Sequence, residues 1–257
     1  MPIKIIFTYS YLFIVGTVFG SFCMLVGQRV PKKLSIIKPR SHCSDCGHQL
    51  GIGELIPIVS YFLIGRKCKQ CGAKLSIVYP LIECLTGLAF AVTPWLLSWH
   101  WETLVCLTMV CLLVIISVSD ITTRLIPNKI LVFFLGLVVV ERLFIPLNPW
   151  WSSILGAVIG FGLLFLLGYL SKGGMGGGDI KLFGVLGLFL GWQGTLITLV
   201  VASVLGLIYG LYQLIRKVDK SRYIPFGPFI AIGAYLTYFV LSGQFDRIKF
   251  IINEMLT

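Results

Sequence analysis

The sequence predicts an all-α polytopic membrane protein with about eight transmembrane helices and a cytoplasmic, zinc-ribbon-like loop built on four cysteines. Three observations predict it. Of 257 residues, 57% are hydrophobic and only 12% are Asp, Glu, Lys or Arg, about half the charged share of ordinary soluble domains. The apolar residues fall in runs at 5–27, 77–97, 103–119, 129–145, 153–171, 181–196, 198–215 and 227–242, most of them long enough to cross roughly 30 Å of hydrocarbon as helices. The basic residues cluster: Arg29, Lys32, Lys33, Lys38, Arg40, Arg66, Lys67, Lys69 and Lys74 face only Asp45 and Glu54 between residues 28 and 74. No soluble core hides so much apolar surface. A β-barrel is excluded because the runs lack the alternation of barrel strands.

In chain order, the first run forms a first transmembrane helix over 1–27. Lys4 alone is a weak basic flank for a cleavable signal and Arg29, Lys32 and Lys33 follow it, so it reads as a retained anchor. The basic segment 28–76 stays in the cytoplasm. Counting crossings from there, Arg124 and Lys129, then Lys172 and Lys181, then Arg216, Lys217, Lys220 and Arg222 fall on the same side. The opposite loops, around His100 and Glu102, Asn148 to Trp151 and Gly191 to Gly194, carry almost no basic charge. Both termini then lie outside the cytoplasm, and Trp95, Trp99, Trp101, Trp150, Trp151 and Trp192 form an outer aromatic belt. Topology and attraction to anionic lipid account for the +11 net charge. Nucleic-acid binding is not expected.

Segment 28–76 holds Cys43-x2-Cys46 and, after twenty-one residues, Cys68-x2-Cys71. Two such knuckles, followed by Gly47 and Gly72, match a tetrahedral four-thiolate zinc site. A reducing compartment argues against disulfides. A closed four-sulfur shell leaves no position for water, so the metal is structural and supplies folding energy to a small loop. His42 and His48 read as bystanders, and Cys23, Cys84, Cys106 and Cys111, inside apolar runs, as small hydrophobes.

Glu83, Asp120, Glu141 and Asp179 are acidic residues inside or at the edge of spans, where ionisable groups are costly and each is a functional candidate. Glu141, beside Arg142, reads as local or interfacial. Glu83 anchors its helix or contacts the cysteine loop. Asp120 ends the third span in VSVSDITTRLIPNK, and Asp179 follows the glycine run of GMGGGDIK. The topology puts both at one depth on the cytoplasmic face. Two facing carboxylates there can polarise one water and share one proton, one acting as general base and one as general acid; the competing reading makes each a helix cap. Helix dipoles would make Asp179, opening its helix, the base, and Asp120, closing its own, the acid. Five glycines in 173–178 would let an extended substrate backbone approach, and Lys181 would orient the pair or a substrate carboxylate.

Gly176, Gly178, Asp179 and Lys181 resemble the GxGDxK motif of bacterial type IV prepilin peptidases, and Asp120 with Ile126, Pro127 and Asn128 is similar to their first catalytic aspartate and its IPN. GSF at 20–22, QRVP at 28–31, the paired CxxC loop, Tyr79 and Pro80 with Glu83, and IPFGPF at 224–229 extend the resemblance over most of the chain. It implies a membrane aspartic endopeptidase of the bacterial cytoplasmic membrane that removes the short basic leader of prepilins and pseudopilins, after Gly and before a Phe-like residue. Residues 77–257 would be the peptidase domain, with Asp120 and Asp179 catalytic, Gly176, Gly178 and Lys181 in support and zinc on Cys43, Cys46, Cys68 and Cys71. It further implies N-methylation of the new amino terminus from S-adenosylmethionine, linked to the 28–76 loop, although no residue is marked as binding that cofactor. Two departures fall in that half: GSFCM puts Met24 where the family commonly has Asn, and Gly65-Arg66-Lys67-Cys68 is one residue longer than GRC. A non-enzymatic zinc-loop scaffold and a proton- or cation-coupled transporter are the readings from other classes.

Overall fold

The computed structural model describes residues 2–43, 45–97, 99–171, 174–216 and 225–241. Expectations resting on Lys172, Gly173, Lys217, Lys220, Arg222, Ile224 and residues 242–257 lie outside the described residues. The described chain is all-helical in its regular structure: α1 (Pro2–Arg29), α2 (Val59–Leu63, within the cysteine loop), α3 (Val78–Leu97), α4 (Trp101–Thr123), α5 (Asn128–Phe144), α6 (Trp151–Leu170), α7 (Gly177–Arg216) and α8 (Gly227–Leu241).

Among these, α1, α3, α4, α6 and α7 are long and apolar enough to cross a membrane. Helices α5 and α8 are shorter, at 17 and 15 residues. The sequence expects eight spans, and five of the described helices meet this length and composition. The runs 181–196 and 198–215 fall in α7, which is two helical limbs meeting at Gly191, whose φ of 69° and ψ of 178° lie in a region essentially reserved for glycine. Gly156 of α6 meets Gly187 and Gly191, whereas Gly160, one turn on, meets Phe183 and Thr195. Moving along α6 thus runs backwards along the first limb of α7 and forwards along the second, so α7 doubles back at Gly191. With no side chains between them, the backbones approach as small residues permit in membrane helix pairs.

The same close packing joins α1 to α3, where Gly16 meets Gly87 and Phe90 and Gly20 meets Thr86. Gly27 of α1 lies against Ile115 and Val118 of α4, and Gly233 of α8 against Thr198 and Ala202 of α7. The core between α4 and the first limb of α7 is dry and apolar: Met109, Leu112, Ile116, Leu182, Phe183, Leu186 and Phe189 are fully buried. At one end of the bundle Glu102 of α4 meets Tyr238 of α8, while at the other Asp120 of α4 meets Gly227 at the start of α8. The cysteine loop leaves α1 and enters α3 at the Asp120 end, since Gly27 is level with the last turns of α4.

Helix α4 runs to Thr123, past the end of its apolar run. Thr122 and Thr123 donate their hydroxyls to the carbonyls of Val118 and Ser119, so these polar residues satisfy themselves within the helix. Arg124, in the left-handed region with φ 55°, ends α4, and Pro127 precedes α5.

Candidate active site and metal centre

Asp120 sits one turn inside the end of α4 and is buried. Its Oδ2 accepts the backbone N–H of Gly227 at 2.6 Å, and the Phe226 N–H also bonds the carboxylate. The carboxylate therefore caps α8, a chain element more than one hundred residues away. A Cβ on Gly227 would lie 2.9 Å from the Asp120 Cβ, so only glycine admits this approach. Nothing in the sequence reading had given Gly227 that part, although the Pro225-Phe226-Gly227-Pro228 breaker signalled a helix start.

Asp179 lies in the first turn of α7. The loop after α4 brings it to Asp120: Ile126 fills the space beside Gly178, where a Cβ would lie 2.7 Å from the Ile126 Cβ, and Lys181 Nζ donates to Asn128 Oδ1 at 3.0 Å. The Ser119 hydroxyl holds the same loop through the Leu125 carbonyl. The two carboxylates are close enough to interact electrostatically. The dipole argument for their separate roles does not hold, because Asp120 also faces a helix N-terminus, that of α8. The glycines differ from their expected use too. Gly178 makes room for Ile126, and Gly176 for the Asp179 carboxylate itself, whose Oδ2 would be 2.9 Å from a Cβ there. Among the described glycines of this run, Gly177 alone opens onto empty space.

The four loop cysteines form a second cluster. Each knuckle repeats one pattern: Cys43 N–H donates to His48 O and Gly47 N–H to Cys43 O, as Cys68 N–H donates to Ala73 O and Gly72 N–H to Cys68 O. Gly47 and Gly72 take φ of 73° and 72°. Before Cys68, two successive residues, Gly65 and Arg66, take positive φ of 64° and 63°. The Sγ atoms lie within 4.8 Å of one another, with Cys43 to Cys71 and Cys46 to Cys68 both at 3.8 Å. Zinc–sulfur bonds of about 2.3 Å require tetrahedral edges of about 3.8 Å, so the donor set fits the metal. The N–H groups of Cys71 and Gln70 draw the Cys68 thiol down to about 6. Although the Ala73 N–H favours the Cys71 thiolate, burial and the neighbouring thiols push that group up to about 12. A cation among the sulfurs would relieve this competition. His42 bonds the Arg40 carbonyl and His48 faces Glu54 at 3.5 Å, both outside the sulfur cluster. Glu83 accepts the Ile58 N–H at 2.7 Å and so ties the loop to α3.

Residues 14–97 match the Bacterial Peptidase A24 N-terminal domain and residues 107–211 the Type IV leader peptidase family. A prepilin leader peptidase/N-methyltransferase of Bacillus subtilis (strain 168) is 40% identical over 230 residues, covering 89% of this chain and 93% of its own. The chain belongs to the type IV leader peptidase family. Proteins of the same name from Neisseria gonorrhoeae and Pseudomonas aeruginosa are 32% identical over 257 residues and 30% over 252, covering 88% and 87% of each chain. No solved structure matches it. In this leader peptidase family member, the N-terminal match ends with α3 and includes the whole cysteine loop. The second match holds Asp120, Asp179 and Lys181 and stops before α8, whose Gly227 nevertheless binds Asp120.

Proposed function

We propose that this protein is a membrane aspartic endopeptidase that removes the leader of type IV prepilins and pseudopilins, and that Asp120 and Asp179 are its catalytic pair. The observation that supports the reading is their convergence: the end of α4 that carries Asp120 and the start of α7 that carries Asp179 lie at one end of the bundle, joined through Ile126 with Gly178 and Asn128 with Lys181. One carboxylate takes a proton from a water held between them while its oxygen attacks the scissile carbonyl carbon. The other, protonated, donates to the carbonyl oxygen as charge develops, and the tetrahedral intermediate collapses as a proton passes to the leaving amine. Because the pair shares a proton, its titration belongs to both residues. Gly227 orients Asp120 through Oδ2. The cut falls after Gly and before a Phe-like residue of a substrate delivered from within the bilayer.

Zinc on Cys43, Cys46, Cys68 and Cys71 holds the loop, and S-adenosylmethionine supplies the methyl group for the exposed amino terminus in a second activity. Asp120, Asp179 and the loop face the cytoplasm from the bacterial inner membrane. The test is purified protein incubated with a prepilin, with and without S-adenosylmethionine, the product N-terminus being read by mass spectrometry. The expected products are the leaderless pilin and, with the cofactor, the same chain carrying one more methyl group. An intact leader would overturn the reading, and D120N or D179N that still cleaved would return the aspartates to helix capping.

A further inference from the structure

Between Gly51 and Arg66 the cysteine loop carries an outer surface that does not belong to any long helix. Ile52, Leu55, Ile56, Val59, Phe62 and Leu63 are exposed, Ile52 by 83%, Phe62 by 60% and Leu63 by 76%. Helix α2 shows the inversion most clearly. Ser60 and Tyr61 are its buried residues, Tyr61 reaching the Leu75 carbonyl, while Val59, Phe62 and Leu63, at spacings of three and four, point outward. An apolar patch turned away from the protein body marks a surface with a partner. The spans themselves cannot account for it, since it lies in the connection between α1 and α3.

Two further observations say what covers it. The first is depth. The backbone N–H of Ile58, at the start of α2, donates to the buried Glu83, a carboxylate that Ser21 of α1 also bonds. Ile58 holds φ 62° and ψ −55°, outside the regions a β-branched residue normally occupies. Glu83 is five residues into the 20-residue α3, about 7 Å from its start at the helical rise, and Ser21 is eight residues, about 12 Å, before the end of α1. The 20 residues of α3 just match the hydrocarbon thickness. Ile58, at the start of α2, is therefore held level with the inside of both helices, and a segment fixed there lies at the depth to which interfacial helices bury their apolar faces. The second is charge. Arg66, Lys67, Lys69 and Lys74 follow the patch, Arg66 stacking on the exposed Phe62 ring at 5.9 Å. Its one carboxylate, Glu54, is turned inward on Gly51, His48 and Lys69. A basic surface repels the basic leader of the proposed substrate and attracts anionic headgroups.

We propose that segment 52–63 is an interfacial foot that inserts its apolar side chains among the lipids of the same leaflet, with Arg66 and Lys67 paired to anionic headgroups. Only the exclusion of the leader as occupant rests on the proposed peptidase function. The test places p-benzoyl-phenylalanine at Leu63 in the full-length protein, in nanodiscs of phosphatidylethanolamine and phosphatidylglycerol. Irradiation is expected to give a lipid adduct at position 63, with phosphatidylglycerol enriched several-fold over its mole fraction. The R66Q/K67Q variant is expected to keep the adduct and lose the enrichment, and E83Q to lower the adduct yield several-fold. Absence of a lipid adduct, an unenriched adduct, or its suppression by a saturating prepilin peptide would each overturn the proposal, the last by making the substrate the occupant. Leader cleavage measured in the same discs without irradiation reads the peptidase function separately.

Discussion

Asp120 and Asp179 are placed by residues that have no chemistry of their own. Gly178 and Gly227 have backbones near enough to Ile126 and Asp120 that a methyl group would collide with each. Substituting G178A is expected to cost about 1–3 kcal/mol through overpacking and to lower cleavage, whereas G177A, which opens onto empty space, should leave both unchanged; thermal unfolding beside a leader-cleavage assay distinguishes the two. D120N and D179N should each reduce cleavage by about 10²- to 10⁴-fold or more, the scale of lost acid–base catalysis, without lowering the unfolding temperature comparably. The carboxylates themselves were legible in the sequence, because an acid at the edge of an apolar run is conspicuous. Their neighbours were not, because a glycine in one helix does not name the side chain that will fill its space.

The cysteine loop is an element whose stability the sequence could anticipate from spacing alone. Chelation is expected to release one zinc equivalent, followed by a chromophoric metal indicator, to increase proteolysis within residues 41–75 and to leave leader cleavage largely intact, since the sulfur shell is closed and separate from the proposed catalytic pair. Glu54 adds a pH dependence. The Gly51 N–H, with Lys69 and His48, holds its carboxyl below the usual range. A lowered folded value contributes stability that is complete above the unfolded carboxylate pKa and is lost as pH falls through the folded one. The protection of the Gly51 amide, corrected for the intrinsic slowing of exchange in acid, should therefore fall on acidification below the ordinary carboxylate range, and in E54Q it should be low at every pH. Among the helices, α4 outran its apolar run because hydroxyl back-bonding made Thr122 and Thr123 acceptable in a helix. Composition counts such residues only as polar.

At the scale of the molecule, the doubling back of α7 decides how the bundle closes. Arg142 of α5, buried beside the turn, donates from Nε to the Leu188 carbonyl and from Nη2 to the Phe189 carbonyl, and from Nη1 to Glu102 at 2.9 Å. Tyr238 completes the group on Glu102 at 2.6 Å. One guanidinium thus satisfies carbonyls just before Gly191 while joining α4, α5, α7 and α8. Removing it in R142A leaves a carboxylate and helix-end carbonyls without their donor and is expected to cost about 3–5 kcal/mol. G191A, strained at φ 69° and blocked by the Ser152 hydroxyl, should cost at least about 1–3 kcal/mol. Both are measured as shifts in detergent-solubilised unfolding, and both should loosen α7 before α1 and α3.

The sequence by itself determined that this chain is helical, that it carries several apolar spans, that four sulfurs meet in one loop and that two aspartates stand at the edges of apolar runs. Each follows from local chemistry: unpaired backbone is prohibitive in lipid, metal knuckles need fixed spacing, and the sign of a loop follows its own basic residues. Only the tertiary structure decided that the two limbs of α7 meet at Gly191 and double back there, that Asp120 caps α8, and that Gly178 is filled by Ile126. These depend on which helices become neighbours. Lipid-facing and protein-facing apolar residues carry the same signal in a sequence, and their difference exists only once the helices have packed.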